Sequence, residues 1–173
     1  MNYFFPDAYQ KSIYSINYEK LKDNGIKCLL VDLDNTCVPY IDRVPTKKLK
    51  NLFSKLEDIG FKVIIFSNSP KERLKPFKHE LNVDCCSKAG KPRKGKFLKV
   101  IKNYKYDLSE VAIIGDQLMT DIYGGNKVGI MTILVNPMSD IDMPFTKIYR
   151  FIEKRKIDKM TREGIFKVGC YYD

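Results

Sequence analysis

The sequence predicts an α/β fold with a mainly parallel sheet flanked by helices. Short apolar runs typical of buried strands alternate, along 173 residues, with segments whose apolar residues recur at helical spacing. Several of the strand-like runs end directly in polar residues that could bind a ligand. Because open α/β sheets bind ligands beyond the carboxyl ends of their strands, these polar residues are expected to converge.

Five apolar runs are predicted to form the strands. Four of them are rich in Val, Ile, Leu and Phe, as expected of strands buried on both faces, and the third, Val-Asp-Cys-Cys, is a shorter run. The runs span residues 26–31, 61–66, 83–86, 111–114 and 131–135.

Helices are predicted between these strands. Thr46 is expected to cap a helix whose apolar residues lie on one face and which ends at Gly60. Pro70 suits the first turn of the next helix, which continues to Leu81. Two more helices are predicted over residues 94–104 and 119–127.

The two ends of the chain are predicted to be additions to one domain that spans residues 1–173. Residues 1–24 form an N-terminal extension, in which 6–16 show helical spacing. Residues 144–173 form a basic helix and tail, packed on or beside the core. Its apolar residues, Phe145, Ile148, Phe151 and Ile152, lie beside Lys147, Arg150, Lys154, Arg155 and Lys156. Such a helix could bind a membrane surface or simply pack on the sheet with a solvated basic face.

The composition narrows the possible partners. A net charge of +10 attracts polyanions, which include nucleic acids, anionic lipids and phosphorylated substrates. No apolar run approaches the roughly 18 residues of a membrane span, and the N-terminus lacks signal-peptide features. Five cysteines without framework spacing favour reduced thiols. We therefore expect a cytoplasmic protein, which could also make peripheral contact with the inner face of the membrane.

Asp32 and Asp34 are the most informative residues, because they follow the first predicted strand directly. Two neighbouring carboxylates repel each other unless a cation lies between them. The pair therefore suits a metal ion combined with nucleophilic or acid/base chemistry on a phosphate. The alternative is an ordinary turn, where Asp is also common.

Further polar residues follow later strands in the same way. Ser67 and its neighbour Asn68 could hold a phosphate oxygen, and Lys91 could neutralise a transferring phosphoryl group. Asp116 and Asp121 follow the fourth strand. An acidic cluster of this kind requires a cation, and oxygen ligands favour Mg²⁺.

These motifs resemble those of the haloacid dehalogenase (HAD) superfamily of phosphohydrolases. The resemblance rests on Asp-x-Asp-Asn-Thr at 32–36, Ser-Asn at 67–68, Lys-Pro at 91–92 and Gly-Asp-x-x-x-x-Asp at 115–121. Within this superfamily, the sequence resembles the YqeG-type, class IIIA phosphatases, through residues 116–126 and the Phe-Pro-Asp-x-Tyr motif at 5–9. Cys37 stands where such relatives usually have Leu, which is a conservative change.

The resemblance implies a Rossmann-like HAD core and a role for each motif residue. Asp32 would be the nucleophile, Asp34 the general acid and base, and Asp121 a supporting residue that orients Lys91 or a metal-bound water. Ser67 and Lys91 would take part in catalysis. The implied ligands of Mg²⁺ are Asp32, the Asp34 carbonyl and Asp116. The implied phosphate-binding residues are Asn35, Thr36, Ser67, Asn68 and Lys91.

The spacing between motifs also bears on the substrate. The segments 36–67 and 67–91 are too short for an inserted cap domain of about 50 residues or more. An open site suits a phosphate on a large body, such as phosphatidylglycerophosphate, the substrate of mitochondrial relatives. Two alternatives remain, namely a soluble or macromolecular phosphomonoester, and a non-enzymatic RNA- or ribosome-binding module. Nucleic acid is the less expected partner, because no RNA- or DNA-binding motif occurs.

Overall fold

The computed structural model describes residues 3–141 and 146–173, apart from the side chains of residues 146–149. Within these residues the strands are β1 (Ala8–Gln10), β2 (Cys28–Val31), β3 (Lys62–Phe66), β4 (Asp84–Cys86), β5 (Val111–Gly115) and β6 (Met131–Val135). They form one sheet in the order β1-β6-β5-β2-β3-β4, and every pair of neighbours is parallel. The predicted α/β fold with a parallel sheet is confirmed.

Helices connect the strands and cover the sheet. They are α1 (Tyr18–Asp23), α2 (Lys47–Ile59), α3 (Lys71–Leu81), α4 (Lys94–Asn103), α5 (Tyr123–Val128) and α6 (Thr146–Arg162). As predicted, Thr46 caps the start of α2, since its hydroxyl accepts the Leu49 N–H at 3.2 Å, and Gly60, with φ of 94°, caps the end. A π-helical turn over Leu118–Ile122 precedes α5. Among the described residues, none of these helices combines the length and the apolar composition of a membrane span.

Alternate residues of the central strands enter two separate cores. Leu29 packs with residues of α2 and α3 on one face of the sheet, whereas Leu30 packs with Phe97 and Ile101 of α4 on the other. Both leucines are fully buried. This alternation explains why β2 is apolar throughout, since both of its faces are covered by helices.

The sheet order places a topological switch at the carboxyl end of β2. From β2 the chain builds β3 and then β4 on one side, and it later crosses to build β5 and β6 on the other. The connection that leaves β2 runs toward β3, whereas the connection that leaves the neighbouring strand β5 runs toward β6, so a crevice opens between the carboxyl ends of β2 and β5. A crevice of this kind is the usual ligand site of open α/β sheets.

The predicted N-terminal helix over residues 6–16 is wrong. Part of that segment forms β1, which extends the sheet by pairing Ala8 with Ile133 and Gln10 with Val135. The outer edge of β1 is covered in turn, because Tyr9 and Tyr172 exchange backbone hydrogen bonds of 2.8 and 2.9 Å. Pairing along the exposed edge of β6 therefore overrides the helical spacing of a short segment.

The C-terminal helix packs beside the sheet through residues that differ from its predicted apolar face. Its buried residues include Glu153 and Met160, and Met160 belongs to an apolar cluster with Tyr9 and Phe166. Phe151 is 58% exposed. Phe145, which also belongs to the predicted face, lies outside the described residues, and so does the side chain of Ile148.

Candidate active site

The polar residues predicted to converge do meet at the carboxyl end of β2. The Asp32 N–H donates to the Ile114 carbonyl at 2.9 Å, so this aspartate directly continues the pairing of β2 with β5. Asp116 follows the end of β5, and Ser67 follows the end of β3. All three residues are buried. The parallel sheet thus places three separate motifs around one crevice.

Lys91 forms the centre of the cluster. Its Nζ lies 2.7 Å from Oδ1 of Asp32 and 2.7 Å from Oδ1 of Asp121. The three side chains are 2%, 9% and 0% exposed, respectively. A buried ammonium group shared by two buried carboxylates fixes both of them and partly balances their charge. Of the two roles that the family resemblance implies for Asp121, the contact with Lys91 is present in the structure.

Asp116 supplies a third carboxylate, whose Oδ1 accepts the Thr36 hydroxyl at 2.8 Å. One ligand oxygen from each of Asp32, Asp116 and Asp121 lies within 4.8 Å of the others. Three buried carboxylates this close fit a hard divalent cation that takes oxygen ligands, such as Mg²⁺. Asp121 thereby joins the candidate ligands, whereas the Asp34 side chain lies outside this group.

Burial and mutual repulsion disfavour the ionised form of the three carboxylates, Asp32, Asp116 and Asp121. Desolvation raises the pKa of Asp32 to about 7 and that of Asp116 to about 6, despite the opposing attraction of Lys91 and Arg150. Burial also raises the pKa of Asp121. For Lys91, burial lowers the pKa, but Asp121 and Asp32 outweigh it and hold the pKa above its usual value. The site therefore retains a charged lysine and has a deficit of positive charge.

The Asp34 carboxylate occupies a separate pocket of hydrogen-bond donors. Arg73 of α3 donates to its Oδ1 from Nε at 2.9 Å and from a terminal nitrogen at 2.7 Å. The Ser69 hydroxyl donates to Oδ2 at 2.6 Å. Arg73 also donates to the Asp42 carbonyl, which connects α3 to the loop after β2. Sequence reasoning missed Arg73, because it stands among the charged residues of a helix that otherwise appear solvent-exposed.

Ser67 and Asn68 brace the site from the end of β3. The Ser67 hydroxyl accepts the Ser69 N–H at 3.1 Å. The Asn68 side chain donates to the Lys91 carbonyl at 3.1 Å and accepts the Lys91 N–H at 2.8 Å. Asn68 thus fixes the backbone of the residue that carries the central ammonium group. Its predicted contact with phosphate stays a prediction.

Asn35 has a structural use that its motif position did not reveal. It is buried, has φ of 62°, and donates from its side chain to the Ile141 carbonyl at 2.9 Å. Its side-chain oxygen accepts the Ser139 hydroxyl at 2.7 Å and the Tyr40 N–H at 3.3 Å. Asn35 therefore fastens the loop after β2 to the loop after β6. Its implied role in phosphate binding stays a prediction.

Arg150 reaches the site from α6. Its guanidinium donates to the Asp116 carboxylate and, at 3.1 Å, to the Asp116 carbonyl. It also pairs at 3.2 Å with Glu153, which accepts the Met119 N–H at 2.9 Å. Burial raises the pKa of Glu153 to about 7. The spacing of basic residues in this helix gave no signal that one of them would turn inward.

Gly115 is required by the close approach of Asp121, so Gly115→Ala is expected to destabilise the fold by about 1–3 kcal/mol. A Cβ at this position would lie 2.2 Å from the Asp121 Cγ, and Lys91 holds that aspartate in place. Urea unfolding would measure the loss. Gly95→Ala is the matched control, because its Cβ meets nothing within 4 Å and α4 should gain up to roughly 1 kcal/mol. Equal stabilities for the two variants would contradict the packing described.

Comparison with known proteins agrees with this geometry. A family model described as HAD-hydrolase-like matches residues 88–137, which include Lys91, Asp116 and Asp121. The chain is 36% identical over 162 residues to a Bacillus subtilis protein named "Probable phosphatase YqeG", and the match covers 94% of each chain.

The chain is also similar in sequence to a more distant plant protein and in fold to a solved bacterial structure. The chain is 25% identical over 173 residues to phosphatidylglycerophosphate phosphatase 1 of Arabidopsis thaliana, covering 94% of this chain and half of the plant protein. The fold matches 3-deoxy-D-manno-octulosonate 8-phosphate phosphatase from Moraxella catarrhalis, with a TM-score of 0.57 and 15% identity. That match covers 86% of this chain and 99% of the other.

Proposed function

This chain belongs to the YqeG-type phosphatases of the HAD superfamily, and on that premise we propose that it hydrolyses phosphomonoesters in a Mg²⁺-dependent reaction with Asp32 as nucleophile. The buried cluster of Asp32, Asp116, Asp121 and Lys91 carries the proposal. A carboxylate is a competent nucleophile toward phosphorus when it is ionised and oriented. Lys91 favours both conditions, because its ammonium group holds one oxygen of Asp32 and opposes the rise in its pKa.

In the proposed reaction, an oxygen of Asp32 forms a bond to phosphorus, and the bond from phosphorus to the ester oxygen breaks. Asp34 gives a proton to the leaving alkoxide and later accepts one from the water that hydrolyses the aspartyl-phosphate. Because both Asp34 oxygens accept hydrogen bonds from Arg73 and Ser69, the proton transfers require one of these contacts to be exchanged. When bound, Mg²⁺ neutralises charge on the phosphoryl group.

The surrounding residues of the proposed site hold the reacting groups in place. Asp32, Asp116 and Asp121 are the side chains that would hold the cation, and Thr36 orients Asp116. Asn68 fixes the backbone of Lys91. Placing these groups before the substrate arrives reduces the reorganisation that the reaction requires.

The proposed substrate is a lipid phosphomonoester of the phosphatidylglycerophosphate type. The Arabidopsis relative, a phosphatidylglycerophosphate phosphatase, supports this proposal. The site also has no large cap, because the described segment 36–67 contains one loop and α2, and segment 67–91 contains α3 and β4. A large substrate can therefore approach the crevice. The competing substrate class is a soluble or macromolecular phosphomonoester, on which the same residues would act.

Turnover measurements can separate these substrate classes. The purified protein would be given phosphatidylglycerophosphate in mixed micelles and, in parallel, glycerol 3-phosphate and glucose 6-phosphate. We expect kcat/KM for the lipid to exceed that for the soluble esters by at least about 100-fold, which corresponds to about 2.7 kcal/mol in the transition state. Equal or higher values for a soluble ester would exclude the lipid as the preferred substrate.

Mg²⁺ is expected to stabilise the folded protein, because it relieves repulsion among Asp32, Asp116 and Asp121. At ten times its dissociation constant, binding would add about 1.4 kcal/mol, or roughly 3–6 °C in Tm. Thermal unfolding in EDTA and in millimolar Mg²⁺ measures the shift, and Asp116→Asn should reduce it. A Tm indifferent to Mg²⁺, together with activity undiminished by EDTA, would rule out this metal site.

A further inference from the structure

The C-terminal helix supplies a cation to one carboxylate of the candidate metal group. Lys91 holds the other two, Asp32 and Asp121, each at 2.7 Å. Asp116 is held from α6, where the Arg150 guanidinium donates to its Oδ2 and, at 3.1 Å, to its backbone carbonyl. The three carboxylates are therefore oriented by two cations that come from distant parts of the chain.

The side chain of Asp116 is held by both of its oxygens. The Thr36 hydroxyl donates to Oδ1 at 2.8 Å and Arg150 donates to Oδ2, so rotation of the carboxylate would break these contacts. An ionised carboxylate offers about four acceptor positions on its two oxygens. Two hydrogen bonds thus fix its plane and still leave acceptor positions for a metal ion.

Arg150 is itself held by a buried partner. Its guanidinium pairs at 3.2 Å with Glu153, three residues further along α6, and the Glu153 side chain is 5% exposed. Glu153 accepts the Met119 N–H at 2.9 Å, and Met119 belongs to the π-helical turn that carries Asp121. Arg150 is therefore connected to the segment after β5 at two points, directly through Asp116 and indirectly through Glu153.

We propose that Arg150 is a positioning residue for the divalent cation, because it holds the Asp116 carboxylate in the orientation that metal binding requires. Residues that hold a metal ligand in place typically change metal affinity by about 10–100-fold when they are replaced. The inference rests on the proposed Mg²⁺-dependent function. It makes the C-terminal helix, whose sequence predicted a basic outer face, a part of the active site.

A residue that acted only as a counter-charge would have the opposite effect on metal affinity. The positive charge of Arg150 repels a metal ion at the same carboxylate, so loss of the charge alone would tighten metal binding. Loss of orientation would weaken it. We expect orientation to dominate, because Arg150 contacts both the side chain and the backbone of Asp116 and is fixed by Glu153. The sign of the change in affinity therefore separates the two roles.

Binding of Mn²⁺ to the full-length chain tests the proposal without any turnover. Mn²⁺ takes the same kinds of oxygen ligand as Mg²⁺, and electron paramagnetic resonance measures its free concentration. One test variant is Arg150→Gln, which removes the charge, and the other is Arg150→Lys, which keeps the charge but lacks the planar fork of donors. The control is Arg155→Gln, the same change at an exposed position of α6. Urea unfolding in EDTA measures the stability of each variant separately.

We expect Arg150→Gln to raise the Kd for Mn²⁺ by about 10–100-fold and Arg155→Gln to leave it within about twofold of wild type. Arg150→Lys should raise the Kd at least about threefold, because an ammonium group cannot reproduce the contacts of the fork. The Mg²⁺ concentration that half-activates hydrolysis of a soluble aryl phosphate should rise in the same order. A residue that only stabilised the fold would change the unfolding free energy and leave the Kd of the folded protein unchanged.

Two results would overturn the role of Arg150 alone. The first is an Arg150→Gln protein that binds Mn²⁺ as tightly as the wild type or more tightly, which would make Arg150 a counter-charge. The second, which decides the matter if Arg150→Gln does not fold, is an Arg150→Lys protein with wild-type affinity. A wild type that binds neither Mn²⁺ nor Mg²⁺ is a separate outcome, because it would refute the metal-dependent function together with this inference.

Discussion

Replacing Asp32 with asparagine is expected to abolish phosphate release and leave the fold intact. The amide keeps the size of the side chain but lacks the anionic oxygen that would attack phosphorus and bind the cation. We expect kcat to fall at least about 1000-fold, equivalent to about 4 kcal/mol in the barrier. Phosphate release under substrate saturation measures the effect, and circular dichroism confirms the fold.

The matched control for Asp32→Asn is Asp58→Asn, the same change at an exposed position of α2 far from the crevice. It should retain wild-type turnover. Residual activity of Asp32→Asn within about tenfold of wild type would remove Asp32 from the nucleophile role.

Replacing Lys91 with methionine is expected to destabilise the protein by about 3–5 kcal/mol and to inactivate it. The loss of one cation leaves the buried carboxylates of Asp32 and Asp121 without the ammonium group that contacts both at 2.7 Å. Urea unfolding in EDTA measures the destabilisation. Added Mg²⁺ should restore part of the stability, because it supplies positive charge to the same carboxylates.

The control for Lys91→Met is Lys94→Met, which removes an exposed lysine three residues further along the chain. Its unfolding free energy should stay within about 0.5 kcal/mol of wild type. If Lys91→Met lost no more stability than this control, the central role of the lysine in the cluster would be refuted.

Five of the six strands, and the convergence of the polar residues that follow them, could be predicted from the sequence, because both depend on local patterns. Buried parallel strands require apolar runs, and the fold brings together the residues that follow them. Asp32 and Asp116 could therefore be selected from their positions after strands, and Lys91 from its place in the ordered set of motifs. The structure adds that Asp121 is shared with Lys91 and belongs to the candidate metal group.

Three features could not be read from local patterns. β1 forms because the edge of β6 is available, and such tertiary pairing leaves little signal in a three-residue strand. Arg73 and Arg150 turn inward toward Asp34 and Asp116, although both occur in helices rich in exposed cations. Asn35 lies within a predicted motif, yet its observed contacts are with two loops. In each case a partner distant in sequence decides the role.

Phosphate release from phosphatidylglycerophosphate in mixed micelles, with and without Mg²⁺, tests the central claim most directly. The claim is that the Asp32, Asp116 and Asp121 cluster hydrolyses a phosphomonoester with the help of a divalent cation. We expect release in millimolar Mg²⁺, a fall of at least about 100-fold in EDTA, and recovery when Mg²⁺ is restored. Release that is unaffected by EDTA, or no release from this lipid or any soluble phosphomonoester under either condition, would contradict it.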